Sequence, residues 1–400
     1  MKSTLYIGLL AVFLGLAGCE NYLGDKTDLG FIEVPEFTNR DVAYVPIQPA
    51  LTNFIRPVDL CIGFDELLYV VDEATEEVVC LDESGREIAR KYVQGAKSVS
   101  QDRRFNLLVI GTKTDTVAGV AYDLSCIYRL ELAGDDGYGL QRAQVVNTIV
   151  HPFYFKSTFS SGDALVEFHK VGIVGDNFDP NNNNAWYVTR TGPSANNAGL
   201  GPDDAVVLFN NNDVFESAVL VTTSGGQFNN YFREPSGLVT RTQPPQITAG
   251  QGKDFIVSSL SPNNLLKVQY IEFQETEFGA QYSPRIFPID TSLADGFISE
   301  PNKFTRPVHL CLTGDGTNYL FVTDAEKDSL YQFTLTGLEG VAPPPASGET
   351  RYQKASFGGT GIGLTQFNEP MGVAYWREIL YVCDAGNGRV LRFKLTLDFE

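Results

Sequence analysis

Residues 358–390 read Gly358-Gly-Thr-Gly361-Ile-Gly-Leu-Thr-Gln-Phe367-Asn-Glu-Pro370-Met-Gly372-Val-Ala, and then Leu380-Tyr-Val-Cys-Asp384-Ala-Gly-Asn387-Gly-Arg389-Val390. The Phe-x-x-Pro within this stretch recurs as Phe54-Ile-Arg-Pro57, Phe232-Arg-Glu-Pro235 and Phe304-Thr-Arg-Pro307. Short apolar runs follow, such as Val58 to Ile62, Val308 to Leu312 and Met371 to Ala374. A second run closes on Asp72, Asp324 and Asp384; the remaining copy, Phe255-Ile-Val-Ser-Ser259, closes without an acid. Counting on from that last residue, apolar side chains recur at +6 and +9: Val78 and Leu81, Leu265 and Val268, Leu330 and Phe333, Val390 and Phe393. Agreement of separate segments on fixed offsets marks an internal repeat.

The unit has a physical reading. Proline fixes φ at the start of a strand, where no ladder donor is needed. An Asp at the end of the second strand can accept backbone N–H bonds in the turn that follows. The +6 and +9 residues open a third strand. Such a unit is apolar on both sheet faces and must stack on neighbours, which gives a propeller or a solenoid.

Taken together, Gly358 to Ala374 and Leu380 to Val390 resemble an NHL repeat, and the similarity covers roughly residues 40–400. That resemblance implies a β-propeller, most often six-bladed. Two further blades follow from looser patterns: Ala96-Lys-Ser98-Val-Ser with Leu107-Leu-Val-Ile-Gly111, and Lys170-Val-Gly172-Ile-Val with Trp186-Tyr-Val-Thr189. The reading is therefore all-β, a six-bladed NHL-like propeller over residues 41–400. A seventh blade would need a repeat hidden in the long third or fourth segment. The last blade runs out of chain before its fourth strand, and Asp41-Val-Ala-Tyr-Val-Pro-Ile47 is the candidate to supply it. A closure of this kind removes free sheet edges. Asn-rich and Gly-rich insertions around 176–184, 192–204 and 210–212 read as loops of the third blade.

The chain opens with Lys2 and an apolar run from Leu5 to Leu16, too short for a stable membrane span. The run ends on Leu16-Ala17-Gly18-Cys19, which resembles a bacterial lipobox. The resemblance implies a signal peptide over 1–18, a Cys19 thiol carrying diacylglycerol with palmitate-like chains, and a polar tether over 19–40. The acidic residues after Cys19 loosely resemble surface-export signals of Bacteroidota lipoproteins. The expectation is lipid anchorage at the outer membrane, on either its cell-surface or its periplasmic side. The other five cysteines sit in apolar strand-like runs, without CxxC or zinc spacing, and read as small buried hydrophobes.

Of the 400 residues, 30 are basic and 49 acidic, a net charge of −19; without residues 1–18 the balance is 29 against 49, or −20. No basic stripe is present, which excludes a nucleic-acid binder. The chain contains no Gly-x-Ser-x-Gly elbow, phosphate loop or dinucleotide fingerprint. Aligning the blades brings Arg56, Gly95, His169, Glu234, Arg306 and Glu369 to the position before the leading Pro, and Asp59, Ser98, Gly172, Gly237, His309 and Gly372 two after it. First strands line a propeller's channel, so Arg56, Asp59, His169, Glu234, Arg306, His309 and Glu369 are the candidates for a charged channel mouth. They suit an ion network or the floor of a binding site, with a protein of the outer membrane or a carbohydrate as partner. NHL-like relatives include lyases and lactonases with a metal at the channel. That resemblance implies, as the alternative, a hydrolase or lyase with zinc or calcium on Asp59 and His309. Asp176 and Asp179 with their neighbouring Asn residues are a weaker calcium candidate and lack EF-hand spacing.

Overall fold

Each Phe-x-x-Pro segment starts the innermost strand of an antiparallel sheet, and the sheets form six blades. The computed structural model describes residues 42–396 apart from 136, 177–182, 194–202, 229, 246–251, 278 and 344–346. Cys19, Asp41 and Asp179 lie outside the described residues.

Blade one is Pro57–Ile62, Leu68–Asp72, Glu77–Leu81 and Glu87–Tyr92. The innermost strands of the next four blades are Ser98–Gln101, Glu167–Ile173, Pro235–Thr240 and Pro307–Leu312. Blade six places Tyr44–Leu51 outside Arg389–Leu395, Ile379–Asp384 and Pro370–Trp376. The closing strand thus starts and ends later than the sequence suggests, pairing Tyr44 with Leu395 and Leu51 with Val390. Blade four carries an extra outer hairpin, Val221–Thr223 and Gly226–Phe228. Blade two extends a long hairpin out to Val117 and Val120, which no repeat offset announced.

Period-two alternation explains why these strands are buried on both faces. In blade one Tyr69, Val71, Val78 and Cys80 pack with Val99, Leu107 and Val109 of blade two. Leu60, Leu68, Val70 and Val79, from the opposite face, pack with Ala374, Tyr381 and Cys383 of blade six. One such cluster fills every gap around the ring. The described cysteines are free thiols, and all but the partly buried Cys61 are buried.

The recurrent Asp residues do more than shape the following turn. Asp72 accepts from the N–H groups of Ile55 (2.8 Å) and Arg56 (2.9 Å), and Asp324 from those of Thr305 (2.6 Å) and Arg306 (3.0 Å). Asp384 accepts from Asn368 N–H at 2.7 Å. Each carboxylate therefore latches the start of its own blade's innermost strand, and hydrogen bonds to a charged acceptor are among the stronger ones. Two expectations need correction. Leu265 is 58% exposed, because blade four's turn is longer and its third strand begins only at Val268. The third-blade alignment is also out of register by two residues, which changes the site.

Candidate functional site

Register defines which residues meet at the channel axis. Asp59 pairs with Val71, His309 with Thr323 and Gly372 with Cys383, each just after a bulge in the innermost strand. In blade three Phe168 pairs with Arg190 and Val171 with Val188 around the same bulge. Phe168 therefore stands where the other blades have Pro, and Lys170, not Gly172, occupies the ring position. The layer is Asp59, Ser98, Lys170, Gly237, His309 and Gly372. Glycine is required at two of these places by close approach of neighbouring strands. A Cβ on Gly237 would lie 2.8 Å from Val308 O, and one on Gly372 would lie 3.1 Å from Asp59 Cα.

Asp59 is the centre of this layer. Lys170 Nζ donates to its Oδ1 (2.9 Å) and Oδ2 (2.7 Å) and to Val99 O (3.1 Å), which uses all three ammonium protons. The N–H groups of Leu60 and Val99 donate to Oδ1 and Oδ2 at 2.9 and 2.8 Å. His309 Nε2 lies 2.7 Å from Oδ1, off the direction of a hydrogen bond, so the contact is electrostatic. Val373 N–H donates to His309 Nδ1 at 3.4 Å, which puts the proton of a neutral imidazole on Nε2.

The electrostatics agree with that assignment. Burial by itself would raise Asp59, but Lys170 and His309 outweigh it and hold the carboxyl well below the usual range. Burial, reinforced by Lys170, lowers His309 despite the neighbouring Asp59. The layer is thus a buried Lys–Asp ion pair with a neutral His beside it.

These residues separate two cavities, and Lys170 and His309 line both. The rear cavity, about 60 Å³, is lined by apolar side chains such as Leu60, Ile62, Leu238 and Leu312 together with Ser100, Gln101 and Gln243. The front depression, about 260 Å³, lies at the end where the innermost strands begin and mixes charged groups with Val58, Val308 and Met371. Arg56 and Arg306 flank it and share Glu369: Arg56 Nη2 reaches Oε2 at 2.9 Å, and Arg306 Nη1 reaches Oε1 at 3.0 Å. Arg56 Nε also pairs with Glu73 at 3.1 Å. Burial would raise Glu369, yet the two guanidinium groups lower it.

The structure therefore brings Asp59 and His309 together in the channel, and Arg56, Arg306 and Glu369 together at its mouth. His169 lines the same depression, with its Nε2 2.7 Å from Thr191 Oγ1. Glu234 stays apart: it is exposed, its N–H donates to Asp204 Oδ2, and it forms no ion pair among the described residues. Asp176 is half-buried beside a stretch that the structure does not describe. Sequence reasoning missed Lys170, Lys97 and Glu73. The signal for Lys170 was electrostatic, since an Asp buried at a channel layer needs a cation.

A divalent ion on Asp59 and His309 does not fit this arrangement. Lys170 already stands where such a cation would sit, and about four lone-pair directions of the carboxylate are spoken for. Among the described residues no group of three or more His, Cys, Asp or Glu converges on a metal position.

No known family profile matches the chain, and no curated protein matches it. Solved structures do. Virginiamycin B lyase from Staphylococcus aureus is 10% identical, over 88% of this chain and 99% of that one, with a TM-score of 0.43. An auxiliary nutrient-binding protein from Bacteroides thetaiotaomicron is 12% identical, over 86% and 69%, at 0.47. The PQQ-bound aldose sugar dehydrogenase from Streptomyces coelicolor is 11% identical, over 89% and 98%, at 0.50. At such identities the likeness is one of fold alone: the chain is a β-propeller.

Proposed function

We propose that this chain is a lipid-anchored propeller of NHL type, attached through Cys19, that serves as a non-catalytic binding module at the outer membrane within a protein complex. The front depression is its binding face. One observation carries the reading: the carboxylate at the channel's centre is saturated by Lys170 and two backbone N–H groups, with a neutral His309 against it. A general base or metal ligand needs a free lone pair, and here those lone pairs hold the ring together. The mouth above is open and carries charged side chains on a propeller scaffold, where recognition residues are commonly placed.

The lipobox-like Leu16-Ala17-Gly18-Cys19 supports the anchor, since two or more acyl chains make release slow. Fractionation of cells making the wild type and Cys19→Ala tests it: the wild type stays with membranes, and the variant does not. Protease treatment of intact cells then distinguishes the cell surface from the periplasmic side. Affinity recovery of the lipidated protein tests the complex, and recovery of no partner above background would overturn that part. The competing hydrolase or lyase reading requires uptake of zinc or calcium by the channel, which metal analysis of the purified protein measures directly.

A further inference from the structure

The front depression gathers three cations, Arg56, Arg306 and Lys97, in a protein whose net charge is −19. Glu73 and Glu369 lie with the two arginines, and Glu167 and Asp204 act on the His169 side of the same depression. Below them Asp59 and Lys170 cancel, and His309 is neutral. The two arginines keep spare donors. Glu369 is divided between two guanidinium groups, so Arg306 commits only Nη1, and Arg56 commits Nε and Nη2. Lys97 is exposed and has no carboxylate partner among the described residues. Unused guanidinium N–H donors facing one depression suit a ligand that accepts.

Backbone geometry shows that the arrangement is imposed. Glu369 sits at φ +57°, a left-handed conformation unfavourable to a residue with a side chain, and its N–H donates to Asp328 Oδ1 at 2.8 Å. That holds the acid between the two arginines, whose side chains remain 36% and 41% exposed towards the depression. Further in, Val58, Val308 and Met371 line the walls, and the Lys170–Asp59 pair closes the floor. The space accepts a small molecule with an anionic end and a compact body.

We propose that the front mouth is a binding site for a small oxyanion-bearing molecule, a carboxylate or a phosphate ester, clamped by Arg56 and Arg306 with Lys97 alongside. Planar guanidinium groups suit both chemistries, since they donate paired N–H bonds to two oxygens. The proposal rests on the reading of the front mouth as a binding face and names the ligand class.

Calorimetric titration of the full chain in detergent, at low salt, tests it with glucuronate, inorganic phosphate and, as the neutral control, glucose. Saturable binding of an anion is expected, without binding of glucose; glucuronate preference assigns a carboxylate, and phosphate preference assigns a phosphate ester. Arg306→Gln should weaken the anion about tenfold or more, the scale of a charge-assisted bond. Glu369→Gln removes the competing acid and should strengthen binding several-fold. Arg377→Gln, which breaks an ion pair with Glu66 and Glu83 away from the mouth, should leave affinity unchanged. The opposite signs of the two mouth variants are what a purely structural ion network would not produce. Absence of saturable anion binding, equal binding of glucose, or indifference to both mouth variants would overturn the proposal. In protein that still fractionates with membranes and recovers a partner, such a result would leave the binding-module reading standing. Loss of membrane attachment would strike that reading without touching the titration.

Discussion

Lys170 Nζ lies 2.9 and 2.7 Å from the two carboxylate oxygens of Asp59, a residue 111 positions away in the chain and two blades away in the ring. Both side chains are buried. Breaking such a pair from one side leaves a buried charge uncompensated, at a cost of about 3–5 kcal/mol. Lys170→Met should therefore destabilise the protein by that order in denaturant unfolding. Asp59→Asn combined with Lys170→Met should recover a large part of the loss, because no charge then remains unpaired. A double variant as unstable as the sum of the single ones would show that the two residues do not act as a pair.

The histidines set the acid side of stability. Burial pushes His151 down to about 4, against the opposing pull of Asp163, and burial also lowers His169 and His309. A lowered native value means that the unfolded chain takes up protons first as pH falls. Stability should therefore be full above about pH 6.5 and decline towards pH 4, with His151 alone contributing on the order of 3 kcal/mol. His151→Gln should flatten the decline measured by urea midpoints across this window. Asp59 works lower on the scale, because its depressed value contributes stability that is lost only below the usual carboxylate range.

Gly372 should not tolerate a side chain. A Cβ there would meet Leu60 Cδ2 at 2.8 Å, Asp59 Cα at 3.1 Å and Cys383 Sγ at 3.2 Å. Gly372→Ala should cost about 1–3 kcal/mol through overpacking between blades six and one. Gly134→Ala is the control, since nothing lies within 4 Å of its Cβ position. Its midpoint should move by no more than about 0.5 kcal/mol.

Why the fold was legible and the site only partly so follows from the kind of constraint each obeys. Phe54, Phe304 and Phe367 are buried at blade junctions, and the Pro and Asp of blades one, five and six serve the same backbone need in each. Local rules repeat, so offsets expose them. Lys170 obeys no repeat: it answers the charge of Asp59, and blade three has surrendered both Pro and Asp to Phe168 and Arg190. Without those markers the alignment slipped by two residues and put Gly172 in the ring. Arg56, Arg306 and Glu369 were found because they directly precede a Pro, but their sharing of one acid depends on ring closure. Arg389 shows the same division. The repeat locates it, while only the structure shows it donating to the carbonyls of Ile362, Gly363 and Gln366 and so fixing the loop before blade six.

Ring closure yields the last expectation. Tyr44–Leu51 is the outer strand of the blade whose other strands come from the far end of the chain. Besides its ladder with Arg389–Leu395, Tyr44 donates from its hydroxyl to Gln332 Oε1 at 2.9 Å and packs edge-on against Phe321, both in blade five. Arg392 donates to Pro49 O and, in blade one, to Ser84 O, both at 3.0 Å. Leu51 of the strand packs against the cluster between blades six and one, so the strand ties the last blade to both of its neighbours. A chain beginning at Thr52 should lose that tie and present Arg389–Leu395 as an open edge, a template for pairing with other molecules. Its melting should be lower and less cooperative, and light scattering should show association that grows with concentration. Adding a peptide of residues 42–52 should restore the midpoint by supplying the missing strand. A truncated protein that melts like the intact one and stays monomeric would mean that the other strands of blade six close the ring unaided.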